Sequence, residues 1–199
     1  MLSSCFGHFL LQVSVFHRGS ISLIEEPCIS THLAALKIAK ESGCILSYDP
    51  NLRLPLWPSA DAARQGIMSI WNQADIIKVS EEEISYLTGG DPYDDDAVYK
   101  KPFHPNLRLL VTEGQEGCRY YTKKFNSKVK AIKVKCVDTT GAGDAFDEKN
   151  LREGLMFANA CRALTVTERG AIPALPTRVA VLDFLPKASE QPHCFCMMC

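Results

Sequence analysis

The sequence predicts an α/β fold with a mainly parallel central sheet. Three observations carry this. Short apolar runs alternate with helix-length amphipathic runs, the rhythm of βαβ units. Several of the apolar runs end on polar or acidic residues (Asp49, Ser80, Thr112, Asp138), which gathers them at the carboxyl edge of such a sheet. With 199 residues, 46% of them hydrophobic, the chain can bury one good core and reads as a single domain.

The elements follow in order. Leu10–Phe16 is expected as a strand. Pro27–Glu41 reads as a helix, with Leu33, Leu36 and Ile38 separated by small Ala34, Ala35 and Ala39, and Gly43 ends it. Cys44–Tyr48 is a short buried strand. Asp61–Trp71 is a second helix, Ile76–Val79 a strand, and Glu81–Leu87 a helix stopped by Gly89 and Gly90. Leu107–Thr112 is another strand, followed by a hairpin-like region from Gly117 to Val134. Leu151, Leu155 and Ala158 begin a late helical pattern. The acidic run Asp91–Asp96, with Pro92, reads as a solvated surface loop.

Composition excludes several classes. A net charge of −1 leaves no footprint for nucleic acid or an anionic membrane. The longest apolar stretch, Cys5 to Phe16, is broken by Gly7, His8, Gln12 and Ser14 and is too short to span a bilayer. It lacks the basic region of a signal peptide. Nine scattered cysteines, among them Cys28, Cys44, Cys118, Cys136 and Cys161 in apolar contexts, fit reduced, buried thiols in the cytoplasm. His193, Cys194, Cys196 and Cys199 crowd the tail, but without the second spaced pair of a zinc site.

The most specific run is Val137-Asp138-Thr139-Thr140-Gly141-Ala142-Gly143-Asp144-Ala145-Phe146. Gly141, Ala142 and Gly143 let backbone N–H groups converge on an anion at a helix start. A carboxylate would repel that anion, so Asp144 makes sense as a base that takes a proton from an attacking hydroxyl. A capped helix after a tight turn is the alternative. A dinucleotide fingerprint fits poorly, because Phe146 stands where the third glycine belongs, and no Gly-Lys-Ser/Thr of a phosphate-binding P-loop occurs.

Asp138-Thr139-Thr140-Gly141-Ala142-Gly143-Asp144 resembles the second signature of the ribokinase-like (pfkB) carbohydrate kinases. Phe16-His17-Arg18-Gly19-Ser20-Ile21-Ser22-Leu23, the stretch Ser47 to Trp57, the stretch Ala74 to Ser80 and the stretch Thr167 to Pro176 resemble plant-type fructokinases, so the likeness covers most of residues 16–180. The resemblance implies a three-layer α/β/α sandwich over residues 1–185, with 186–199 as a disordered Cys-rich tail. It implies ATP-dependent phosphorylation of a sugar hydroxyl, D-fructose to fructose 6-phosphate, with Asp144 as base and the Gly141–Gly143 amides as anion hole.

Further roles carry over residue by residue. Thr112, Gly114 and Gly117 match a nucleotide-binding Thr-x-Gly-x-x-Gly turn, and Asn159 a position near the base. Read by themselves, these are a hairpin turn and a surface asparagine. Glu83 matches the Glu of an Asn-x-x-Glu motif that organises Mg²⁺ through water, whereas Ser80 replaces its Asn and keeps at most a nucleotide contact. From spacing alone, Ser80 and Glu83 form a capping box. Asp49, Asn51 and Arg53 are candidates for substrate and phosphate, Arg53 for its planar fork, with an Asp49–Arg53 clamp as the alternative. Asp138, Thr140, Thr165, Glu168 and Gly170 match a backbone site for a monovalent cation such as K⁺.

The chain also departs from the pattern. The N-terminal strands, a Gly-Gly sugar motif and a small β lid are expected to be missing, with a cost in specificity and water exclusion. Phe146 runs straight into Asp147-Glu148-Lys149-Asn150, so an internal segment after Phe146 is expected to be deleted. A merged helix from Ala145 to Leu164 is one outcome. The lid through which relatives pair is absent from this reading, which leaves a homodimer open. Two other readings stand beside the kinase: a non-catalytic remnant that binds nucleotide or a partner, and a sugar kinase of different specificity.

Overall fold

The computed structural model describes residues 14–94, 98, 107–123, 126–132, 134, 151–170 and 172–189. Six strands form one sheet in the order β1-β2-β3-β4-β5-β6. They are β1 (Val15–Arg18), β2 (Ile45–Tyr48), β3 (Ile76–Ser80), β4 (Arg108–Thr112), β5 (Cys118–Tyr121) and β6 (Asn126–Val129). The first four pair in parallel, with Arg18 opposite Tyr48, Tyr48 opposite Ile77 and Ser80 opposite Thr112. The helices are α1 (Cys28–Glu41), α2 (Ala60–Ser69), α3 (Glu81–Thr88), α4 (Leu151–Thr165) and α5 (Arg178–Ser189). The expected βαβ order is therefore present.

Local chemistry sets the boundaries. In β3, Ile77 and Val79 are buried while Ile76, Lys78 and Ser80 alternate to the other side, the period of a strand. Ser59 caps α2 by accepting the Ala62 N–H at 3.1 Å. At α3 both halves of a capping box form: Glu83 N–H donates to Ser80 Oγ at 3.1 Å, and Ser80 N–H to Glu83 Oε2 at 2.8 Å. Gly89, at φ +67°, closes the same helix in the left-handed conformation.

Two compact units make up the chain: Met1–Thr112 with Tyr120–Ser127, and Glu113–Arg119 with Lys128–Cys199. The first holds the larger core. Leu36 and Ala39 of α1, Ala63 and Ile67 of α2 and Ile84 of α3 pack with Leu46, Ile77, Val79 and Leu109 of the sheet. Tyr48 meets Trp71 edge-on, with ring centroids 6.3 Å apart, and its hydroxyl donates to Ile67 O at 3.3 Å. In the second unit α4 packs on α5, with Ala160, Ala163 and Val181 buried.

Some expectations shift. The first strand starts at Val15 and runs to Arg18; residues 10–13 lie outside the described set. The second helix stops at Ser69, and Trp71–Gln73 is a separate 3-10 turn that lets Trp71 turn into the core. Helix α5 continues to Ser189, past the boundary drawn at 185. Cys44 and Cys118 are buried and Cys161 half-buried, but Cys28 is exposed, because it opens α1 where no core faces it. Cys136, the Asp138–Phe146 run and the tail 190–199 lie outside the described residues. No helix among the described residues is long and apolar enough to cross a membrane.

Candidate functional site

At the carboxyl ends of β2 and β3 a polar cluster lines a cavity of about 430 Å³. Its chemistry comes from Asp49, Asn51, Arg53, Lys78, Ser80 and Glu83. The chain leaves β2 at Asp49, passes Pro50 and turns at Asn51, whose φ of +46° is left-handed. Bonds that involve side chains hold this turn, beside the Ser20 N–H to Pro50 O bond at 3.3 Å. Asn51 N–H donates to Asp49 Oδ1 at 3.2 Å, Leu52 N–H to Glu83 Oε1 at 2.6 Å, and Ser20 Oγ to Pro50 O at 2.5 Å.

Lys78 Nζ lies 2.6 Å from Asp49 Oδ2, and both side chains are largely buried. The counter-ion of Asp49 is therefore Lys78, and the Asp49–Arg53 clamp does not form. Arg53 is exposed and lines the cavity. Lys78 had no assigned role in the sequence reading. The available signal was its position in β3, two residues before Ser80 on the same face of the strand.

Glu83 spends one lone pair of each oxygen on a backbone N–H, one from its own helix cap and one from the Asn51–Leu52 turn. The capping reading thus holds, and the same carboxylate also ties α3 to the Asn51–Leu52 turn. Each oxygen keeps a further lone pair, so the carboxylate can still accept water held around a Mg²⁺ ion. Among the described residues no group of three His, Cys, Asp or Glu side chains could hold a metal ion.

A second cluster follows β4. Thr112 ends that strand, with its hydroxyl 3.4 Å from Val79 O. The turn Gly114–Glu116 is one 3-10 turn, closed by Glu113 N–H to Gly117 O at 2.8 Å and Glu116 N–H to Glu113 O at 2.9 Å. Gly117 has φ +105°, and a Cβ there would stand 2.0 Å from Val129 O, so no other residue fits. Asn159 is buried, not on the surface; its Nδ2 donates to Lys130 O at 3.1 Å and its Oδ1 faces Cys118 Sγ at 3.9 Å. Burial pushes the Cys118 thiol up to about 11, which makes it inert. Asn159 and Lys130 also line a cavity of about 210 Å³ with Lys128 and Met156.

Thr165, Glu168 and Gly170 sit at the end of α4 and the turn after it. Thr165 is fully buried, and its carbonyl already accepts Glu168 N–H at 3.3 Å. Gly170 adopts φ +91°. Their expected cation partners Asp138 and Thr140, the base Asp144 and the amides of Gly141, Ala142 and Gly143 all lie outside the described residues.

A parallel sheet with an acid–lysine pair and a half-buried carboxylate at its strand ends is the frame of a ligand-binding α/β protein. The model of the pfkB family carbohydrate kinases matches residues 8–178, and the chain belongs to that family. It is 63% identical over 196 residues to probable fructokinase-7 of Arabidopsis thaliana, covering 89% of this chain and 57% of that protein. It is 52% identical over 200 residues to putative fructokinase-8 of the same plant, covering 92% of this chain and 95% of that protein. The chain spans 57% and 50% of two of its curated relatives. An alignment of 196 positions that uses 89% of 199 residues means that fructokinase-7 carries internal residues without a counterpart here.

Among solved structures, a fructokinase from Vibrio cholerae in a fructose, ADP and calcium ion bound form matches at TM-score 0.76 and 34% identity, over 85% of this chain and 59% of that one. A fructokinase with bound ATP from Xylella fastidiosa matches at TM-score 0.80 and 26% identity, over 92% and 64%. The fold is thus the ribokinase-like α/β architecture.

Proposed function

We propose that this chain phosphorylates a sugar hydroxyl with ATP, converting D-fructose to fructose 6-phosphate. The observation that carries this is the identity of 52–64% to several plant proteins named as fructokinases. Asp144 takes the proton of the attacking hydroxyl, and the amides of Gly141, Ala142 and Gly143 stabilise the charge on the transferred phosphoryl group. Thr112, Gly114, Gly117 and Asn159 receive the nucleotide. Asp49, Asn51 and Arg53 face the sugar and phosphate side, with Ser80 beside them. Glu83 would hold water around Mg²⁺, which when bound would offset the negative charge of the phosphates. Thr165, Glu168 and Gly170, with Asp138 and Thr140, supply carbonyls to a monovalent cation such as K⁺. We place the activity in the cytoplasm, although one relative is named as chloroplastic.

The test is phosphate transfer from ATP to fructose by the purified chain with Mg²⁺ and K⁺. Transfer is expected, and Asp144→Ala is expected to lower kcat by about 10²–10⁴-fold, the scale of a lost general base. A chain that binds ATP and transfers nothing overturns the reading. A second reading, a non-catalytic kinase-derived chain, is favoured by the internal residues of fructokinase-7 that have no counterpart here. ATP binding without transfer would establish it.

A further inference from the structure

Glu113 occupies the free second position of the Thr-x-Gly-x-x-Gly turn. Its side chain is 0% exposed, an expensive place for a carboxylate. Two cations answer it from two further elements. Arg119 Nε, on β5 and itself buried, donates to Oε1 in a short contact. Lys128 Nζ, on β6 and half-exposed, lies 2.8 Å from Oε2 but off the hydrogen-bonding direction, so it acts as an ion pair alone. The backbone of Glu113 meanwhile closes the turn at both ends, through its N–H to Gly117 O and its C=O to Glu116 N–H. One residue therefore closes the turn with its main chain and anchors it to β5 and β6 with its side chain.

We propose that Glu113 is a positioning residue for nucleotide binding: its buried, twice-paired carboxylate holds the Gly114–Gly117 turn in the shape that presents its backbone to ATP. This rests on the kinase reading for the identity of the ligand, but not for the holding of the turn. The turn has few other anchors. Gly114 and Gly117 contribute no side chains, and Gln115 and Glu116 are exposed. Among the described residues the two ion pairs are the side-chain anchors of the turn, and a short turn that loses such anchors opens more readily.

The experiment compares the unsubstituted chain with Glu113→Gln and Glu113→Asp, by amide hydrogen exchange without ligand and by calorimetric titration with ATP. In Glu113→Gln, protection of the Glu113 and Glu116 amides is expected to fall at least tenfold, while the β2 and β3 amides keep theirs. ATP affinity is expected to fall about tenfold. Glu113→Asp keeps the charge and is expected to recover part of both losses. Unchanged protection in Glu113→Gln overturns the proposal, as does lost protection with unchanged ATP affinity. Uniform loss of protection across the sheet also overturns it, because Glu113 would then serve general stability only. If the unsubstituted chain does not take up ATP, the kinase reading fails, and the exchange data still decide whether Glu113 holds the turn.

Discussion

Arg18 and Arg119 are both buried arginines at the sheet, and the protein treats them in opposite ways. Arg119 faces the carboxylate of Glu113, with Lys128 on the other oxygen. Arg18, 5% exposed, places its guanidinium 5.3 Å from the centre of the Tyr48 ring, and none of its three nitrogens finds a hydrogen-bond acceptor among the described residues. Burial lowers its pKa to about 10, with the fields of Tyr48 and Asp75 opposing that shift only in part. An aromatic face offsets some of the cost of burying a cation, but less than a carboxylate with a direct hydrogen bond does. Burial alone does not tell which charge supports the fold. The partner does.

The largest effect should follow from Arg119→Met. It leaves Glu113 buried against Lys128 alone and is expected to cost about 3–5 kcal/mol, read from the midpoint of urea unfolding. The double variant Glu113→Leu with Arg119→Met should regain most of that loss, since an apolar pair can replace a buried ion pair at little cost. If the losses simply add, the two residues are not coupled and the contrast with Arg18 disappears.

Arg18→Met should go the other way. It removes a buried charge that has no hydrogen-bond acceptor among the described residues and keeps an apolar side chain against Tyr48, for a net gain of about 1–2 kcal/mol after the lost cation–aromatic contact. A loss of stability would mean that Arg18 has a partner and that the two arginines are alike. Lys128→Ala should cost at most about 1 kcal/mol, because Lys128 is half-exposed and screened, and the cost should shrink further in high salt.

The smallest effect is on pH. His32 has its pKa lowered, by burial first and by the Arg18 charge second. As pH falls through about 6.5, the unfolded histidine takes up its proton before the folded one does. Stability that is complete above that pH is therefore lost on acidification, down to the lower folded pKa. In Arg18→Met the acid slope should flatten, which urea midpoints at pH 5 and pH 7 would measure.

Much of the candidate site could be read from local pattern. Asp49, Ser80 and Thr112 lie at strand ends because apolar runs precede them, and Ser80 with Glu83 forms its capping box because three-residue spacing on a helix start dictates it. Partners were less legible. Nothing near Asp49 in sequence names Lys78, which comes from the next strand of the sheet. Glu83 was legible as a cap but not as the acceptor for Leu52, 31 residues away. Glu113 and Arg119 are six residues apart across a glycine turn, a spacing that suggests a pair only once the hairpin between them is known.

The order of elements, the cap of α3, the glycine at Gly117 and membership of a carbohydrate kinase family are legible in the chain alone, because they depend on short-range periodicity, backbone sterics and motif spacing. Which charges are buried, and what each one faces, emerges with the folded arrangement of the strands. That choice is made by strand register and desolvation, which join residues far apart in the chain: Lys78 to Asp49, Lys128 to Glu113, and Arg18 to an aromatic ring.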